Sequence, residues 1–529
     1  MELYKKYQKI SASPTRPNLN QKKKKFDMDD LFRGPLPTDS NVREETQTSL
    51  DEKLRKAYFW IVNYAIISPY YDIEYNSGPH HSYTVGDLKT VVNFPSAQSY
   101  SSYVLFPLLT LATRRRCLLV GGPGRGKTAS AILMGVMSGY SLKEVKRSIQ
   151  HGQPQMTISD LLGNPIPSDL MNAKNMDEIK IAWRKWLGMR VKIIDEYNRI
   201  PTRTQSALLT VLGDNYAEIL DQIYECPDAA WYLTANDDAG GGTYEVIEAL
   251  KDRLDIVVKA LHFNTRFLGE LLKRLEDGMK PEEVVPAEVI FTEEELNEMN
   301  SAILSVEFPD DLLRQLEFFA SHFEFLDVAG EQIEYKTKDT LKLSGLDYRA
   351  FSSTDSGKDK NKDIGSQTKN GLSVRALMTC IVYMKAMAYF RGNEKVEYED
   401  VRQVLPFVLH DKLVQNPDSP FFEIPGNQIY RSDKVSWIRK LLELSNELFI
   451  SLGLDSNDPI FALEEEFKSG LEGLSMADTK KRMTKIEKLM NEWTKTKKLY
   501  GHQFDDILKL KYLHQRYTNY MEWLKWQSG

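Results

Sequence analysis

Leu118-Leu119-Val120-Gly121-Gly122-Pro123-Gly124-Arg125-Gly126-Lys127-Thr128 is the stretch that decides the fold. An apolar run opens into glycine-rich chain, closes on Lys-Thr, and is followed by helix-compatible residues from Ala129 to Met137. This is the pattern G-x-x-x-x-G-K-T set between a buried strand and a helix. Glycines let successive backbone N–H groups curl around a polyphosphate, the Lys127 amine can bridge its outer phosphates, and the Thr128 hydroxyl at a helix N-terminus suits Mg²⁺. Gly121, Gly122, Pro123, Gly124, Arg125, Gly126, Lys127, Thr128 and Ala129 are thus the candidate cofactor-binding residues, with ATP and Mg²⁺ as the expected cofactors.

Working outward, Val191-Lys192-Ile193-Ile194-Asp195-Glu196 is a second apolar run, ending in two adjacent acids. An Asp-Glu pair after a strand is often only a surface feature. Beside a phosphate loop it has work to do: Asp195 joins Thr128 in the Mg²⁺ shell, and Glu196 polarises the attacking water. The runs Cys117 to Val120, Val191 to Ile194, Trp231 to Ala235 and Ile256 to Val258 are all strand-length and alternate with helical segments. Such alternation predicts an α/β fold, a parallel sheet flanked by helices on both faces.

The chain has 529 residues, enough for about three domains. We expect a flexible basic arm over residues 1–45, an α/β domain with its entry segment over 46–262, and an all-α lid domain over 263–425 interrupted by a mobile insertion at 324–370. Residues 426–529 form a C-terminal helical bundle or hairpin. Leu50 to Ile67 reads as an amphipathic helix. Thr292 with Glu295 is a capping box, and Ser373 opens a long helix that stops near Gly392. Met483, Ile486, Met490 and Trp493 line one face of a late helix, and Ile507, Leu510, Leu513, Tyr517 and Leu524 line one face of the last. Tyr216 to Leu220 and Gln222 to Cys226 flank Asp221 as a candidate hairpin.

Composition narrows the function classes. Hydrophobic residues at 42% exclude wholesale disorder, and the longest apolar candidate, Tyr58 to Ile67, is too short and polar to span a membrane. Cys117, Cys226 and Cys380 are too few and scattered for a disulfide framework or zinc site, which points to a reducing, cytoplasmic setting. His80 and His81 are adjacent, and since neighbours on a strand or helix point apart we expect no metal site from them. The net charge of −6 splits into about +7 on residues 1–26 and −13 on the rest. An acidic body of that kind speaks against a surface built for nucleic-acid phosphates.

Further residues carry a resemblance. Asp195-Glu196-Tyr197-Asn198-Arg199-Ile200-Pro201 followed by Gln205-Ser206-Ala207-Leu208-Leu209 resembles the D-E-x-N-R-x-P…Q-S-A-L-L signature of MoxR-family AAA+ ATPases of the helix-2-insert clade. Asp160 to Gly163, Thr234-Ala235-Asn236, Gly242-Thr243-Tyr244, Glu248 to Leu254, Leu372 to Ala376 and Tyr398 to Val401 extend the likeness over residues 105 to 415. The resemblance implies that Asn236 orients the lytic water with Glu196, that Arg253 is an arginine finger for the neighbouring subunit, and that Arg375 reaches the phosphate of its own subunit from the lid. Arg199 competes with Arg253 for the trans-acting role. It also implies a hexameric ring that remodels a protein partner in the manner of a chaperone, with von Willebrand factor A domain proteins as frequent partners. Pro165, Ile166 and Pro167 belong either to a pore-facing insertion or to a packed loop. Leu254 replaces the family's usual aromatic; the lid insertion and the C-terminal helices are additions to the family body. Two other classes stay open: a nucleic-acid motor of restriction or defence type using ATP or GTP, and a nucleotide-gated scaffold with little turnover.

Overall fold

The computed structural model describes residues 49–75, 81–87, 89–96, 98–173, 175, 178–236, 246, 248–346, 364–456, 458–495, 499 and 501–528. The basic arm, His80, Gly242-Thr243-Tyr244 and residues 347–363 of the lid insertion lie outside the described residues.

Helix α1 (Leu50–Trp60) runs into one π turn, Ile61–Ala65, and stops there because Ile66 turns extended at φ −101°, ψ 133°. This is shorter than the expected Leu50 to Ile67. The Tyr64 and Ala65 carbonyls at that end accept from the Arg274 guanidinium at 2.6 and 2.7 Å, which satisfies acceptors a helix end leaves open. Helix α2 (Ser102–Thr113) is apolar almost throughout and buried along nearly its whole length, beneath the sheet that follows.

The sheet is built from β1 (Arg116–Val120), β2 (Gln150–His151), β3 (Val191–Asp195), β4 (Ala230–Ala235) and β5 (Ile256–Lys259), with α3 (Lys127–Met137), α4 (Thr202–Asp214) and α5 (Glu248–Arg253) among the connections. The order is β5-β1-β4-β3-β2 and every pairing is parallel. Side chains alternate between two cores: Cys117, Leu119, Ile193, Tyr232 and Val258 enter one cluster, while Leu118, Ile194, Leu233 and Val257 enter the other. Burial on both faces explains why these strands read as unbroken apolar runs. Strand β2 is absent from the expected set. With two residues it has no period to read, and it is held by its register on Ile194 and Asp195. The hairpin expected around Asp221 is present, Tyr216–Ile219 against Gln222–Glu225, turning through left-handed Leu220 and Asp221.

Beyond the sheet the chain is helical: α6 (Leu268–Glu276), α7 (Glu293–Ser305), α8 (Asp310–Ser321), α9 (Val374–Arg391), α10 (Tyr398–Leu409) and α11 (Lys434–Ser451). The capping box at Thr292 and Glu295 forms, and α9 runs from its Ser373 cap to left-handed Gly392. Helices α7, α9, α10 and α11 share one apolar cluster with α1, α2 and a sheet face, so no break in the core falls between them. The Tyr383 hydroxyl on α9 meets Thr110 on α2 at 2.7 Å inside it.

The insertion expected over 324–370 is packed at both of its described ends. Lys338 is buried and donates to the Gly365 carbonyl and the Thr368 hydroxyl, both at 2.7 Å, and Phe325 packs on Phe504. A buried ammonium must keep its acceptors, and that requirement pins the two ends together.

The last helices, α12 (Pro459–Lys468), α13 (Met476–Trp493) and α14 (Gly501–Ser528), close on a small core of Ile460, Ile486, Leu510, Leu513 and Tyr517. Arg314 on α8 ties them to the lid through Asp458 and Asp506. Gly501 permits the approach, since a Cβ there would fall 2.7 Å from His322 Cα. Because this core is separate, Leu510→Ala should cost about 2–5 kcal/mol within residues 459–528 alone. Hydrogen exchange should show faster amide exchange there, with α3 unchanged.

Candidate functional site

The phosphate loop leaves β1 at Val120 and enters α3 at Lys127. Gly124 and Gly126 hold φ of +74° and +75°, the left-handed geometry that turns consecutive N–H groups toward one point and that glycine adopts without strain. Lys127 is buried, and its amine donates to the Gly121 and Gly122 carbonyls at 2.7 and 2.8 Å and to Asn236 Oδ1 at 2.9 Å. Arg125 turns away and donates to the Ala260 carbonyl at 2.9 Å. Beside the loop lies a cleft of about 640 Å³, lined by Gly124 to Gly126 and Ala129 on one wall and by Ile66 to Tyr70 and Ala260 to Phe263 on the other. Its size and mixed lining fit a nucleotide.

Strand register brings the acids to this loop. Asp195 Oδ1 accepts from the Thr128 hydroxyl at 2.7 Å and from the Thr234 hydroxyl at 2.6 Å. A hydroxyl and a carboxylate oxygen side by side suit Mg²⁺, which takes few protein ligands when phosphates and water supply the rest. Among the described residues no cluster of three or more His, Cys, Asp or Glu could hold an ion without such help. Glu196 stands in the left-handed region at φ +53°; its Oε1 accepts from Asn236 Nδ2 at 2.9 Å and its Oε2 pairs with Arg199 Nε at 3.2 Å. Lys127, Asn236, Glu196 and Arg199 therefore form one chain of contacts. Arg199 is engaged within its own subunit.

Arg253 and Arg375 are elsewhere. Asp255 accepts from the Arg116 backbone N–H at 2.9 Å, at the first residue of β1, so the α5 end lies at the opposite edge of the sheet from the phosphate loop. A five-residue strand separates those edges by on the order of 13 Å. Arg375 donates to Asp252 at 2.6 Å, and Lys412 donates to the Asp252 and Leu254 carbonyls at 3.2 and 2.7 Å. The expectation was that Arg375 reaches the phosphates of its own subunit; in this structure the Asp252 carboxylate holds it beside Arg253. The Arg253 side chain lies on Gly213, where a Cβ would fall 2.3 Å from its Nε, and that buried Nε has no hydrogen-bond partner among the described residues.

Three residues at the site were not singled out individually from sequence. Thr234 not only donates to Asp195 but accepts from the Glu196 N–H at 2.9 Å, holding the left-handed residue in place. Its spacing of two from Asn236 on a strand end, which puts both on one face, was the available signal. His151 on β2 approaches Asp195 Oδ2 at 3.3 Å, and Gly152 lets β2 close, since a Cβ there would fall 2.2 Å from the Glu196 carbonyl oxygen. Neither carries a signal outside the folded sheet. Thr234→Val leaves the Glu196 N–H without its acceptor and should lower stability by about 1–3 kcal/mol in denaturant unfolding, while Thr234→Ser should match the parent.

Comparison with known proteins agrees with this geometry. Residues 116–256 match the family described as ATPase family associated with various cellular activities (AAA), and residues 362–429 match the AAA lid domain. Chaperone MoxR1 of Mycobacterium tuberculosis is 26% identical over 321 residues, covering 60% of this chain and 72% of its own length. A crystal structure described as that of a "putative ATPase" from Cytophaga hutchinsonii aligns with a TM-score of 0.44 at 20% identity, over 64% of this chain and 88% of that one. With the parallel sheet in the order β5-β1-β4-β3-β2, the phosphate loop and the helical lid all in place, the chain carries an AAA ATPase domain followed by an AAA lid domain and is similar to a MoxR chaperone.

Proposed function

We propose that this protein hydrolyses Mg²⁺-ATP in the cytoplasm as a hexameric ring and uses the lid movement to remodel a protein partner. The observation that carries this reading is the separation of Arg253 and Arg375 from the phosphate loop of the same chain, with both arginines gathered on one edge at Asp252. A guanidinium pair serves a phosphate only by approaching it, so the phosphate they serve belongs to another copy.

In this mechanism Lys127 and the N–H groups of the loop bind the outer phosphates. Thr128 and Asp195 would hold Mg²⁺, which supplies charge neutralisation at those phosphates. Glu196 takes a proton from the attacking water while Asn236 fixes its carboxylate, to which it already donates at 2.9 Å. Arg253 and Arg375 of the neighbour meet the charge that develops. Client contact falls to the helix Pro167–Asn172, carried between the antiparallel strands Gly163–Pro165 and Ile181–Trp183 with Leu170 and Met171 exposed. A protein client, with a von Willebrand factor A domain protein as the expected partner class, is carried from the MoxR likeness. No described helix is long and apolar enough to cross a membrane.

Glu196→Gln should keep nucleotide affinity and lose about 10²–10⁴-fold in turnover, measured by fluorescent-nucleotide titration and phosphate release. A mixing experiment tests the arginines. Arg375→Ala and Lys127→Ala proteins should each be inactive alone. Mixed, they should regain turnover, because one supplies the nucleotide site and the other the arginine edge. No recovery would place Arg375 in its own subunit's reaction.

A further inference from the structure

Helix α6 has no buried side chain. Leu268, Leu271, Leu272 and Leu275 repeat at 3, 1, 3 spacing, which puts them within about 100° of the helix circumference, and each is 45–77% exposed. Arg274 on the other side of the helix is anchored to the carbonyls of Tyr64 and Ala65, so the stripe is held in position rather than folded away. Leu271 and Leu275 also border the cleft beside the phosphate loop, while Leu268 and Leu272 lie outside its lining. Four leucines in one exposed row make a contiguous apolar patch of the order of a few hundred Å², a size that marks a contact surface.

The opposite edge of the molecule carries the matching feature. Val374 and Met378 are one helical turn apart on α9, flank Arg375 in sequence, and are more than half exposed. Val414 is also exposed, with its backbone bonded to Lys369 and Asn370 just ahead of α9 and with Lys412, two residues earlier, on the Asp252 carbonyl. The arginine edge is therefore an apolar patch around cationic groups, and the cleft edge is an apolar stripe around a site for phosphates.

We propose that the leucine stripe of α6 in each subunit receives Val374, Met378 and Val414 of a second copy, and that this apolar contact seats Arg253 and Arg375 over the bound nucleotide. The occupant is a second copy because the arginines, which lie at the other end of the sheet from their own phosphate loop, sit within the complementary patch and bring it with them. Two different patches meeting head to tail make the heterologous kind of contact from which rings are built when the rotation between copies closes. The inference rests on the ring reading above and specifies its adhesive surface.

The test uses the full chain carrying Glu196→Gln, with Mg²⁺-ATP, followed by sedimentation and fluorescent-nucleotide titration. Leu272→Glu and Met378→Glu should each weaken assembly about tenfold or more while leaving nucleotide affinity within about twofold. Leu272→Glu mixed with Met378→Lys should regain assembly through the complementary charge. Unchanged assembly in both single variants overturns this interface and leaves the ring intact. A parent that stays monomeric overturns the ring reading and the interface with it. Loss of nucleotide affinity in Leu272→Glu assigns the stripe to the nucleotide site and also overturns the interface.

Discussion

One carboxylate oxygen, Asp195 Oδ1, ties three strand ends together. It accepts from Thr128 after β1 and from Thr234 at the end of β4, while Asp195 itself ends β3. The register that makes this possible, Tyr232 level with both Cys117 and Ile193, is set by the two apolar cores on either face of the sheet. Sliding any of the three strands by one residue would turn its side chains to the wrong core and remove its group from the carboxylate. The chemistry of the site and the packing of the core are thus one constraint.

The same polarity that gathers the phosphate loop and acids at the C-terminal ends of the strands leaves the N-terminal ends with a different population. Asp255 accepts from the Arg116 backbone and from Thr379 there, and Asp252 collects Arg375 and Ser373. A parallel sheet sends every strand end of one kind to one edge. In the ring proposed above, the two halves of the reaction lie on different edges and so come from different molecules, which is how the sheet topology would bear on assembly. The exposed leucine row on α6 and the exposed valine and methionine on α9 fall on these two edges.

Much of this was legible beforehand, for physical reasons. Strands buried on both faces cannot hide their apolar character, so four of the five were readable. Glycines that need left-handed φ stand out beside a Lys-Thr pair, and Ser373 and Gly392 mark the ends of α9 by their capping preferences. The unread features depend on neighbours distant in sequence. The two-residue β2 exists only because β3 is beside it, and Gly152 matters only because the Glu196 carbonyl lies where its side chain would be. Lys338, a surface residue by type, is buried because Gly365 and Thr368 supply its acceptors.

The linear order of residues, by itself, determined that a phosphate loop, an acidic strand end and a helical lid would be present, because each needs only local residue types at short spacing. Where Arg375 points was decided by the tertiary structure alone. Its reach depends on the Asp252 carboxylate at the foot of the sheet, 123 residues away in the chain, and an ion pair of that separation exists only once the sheet and lid have packed.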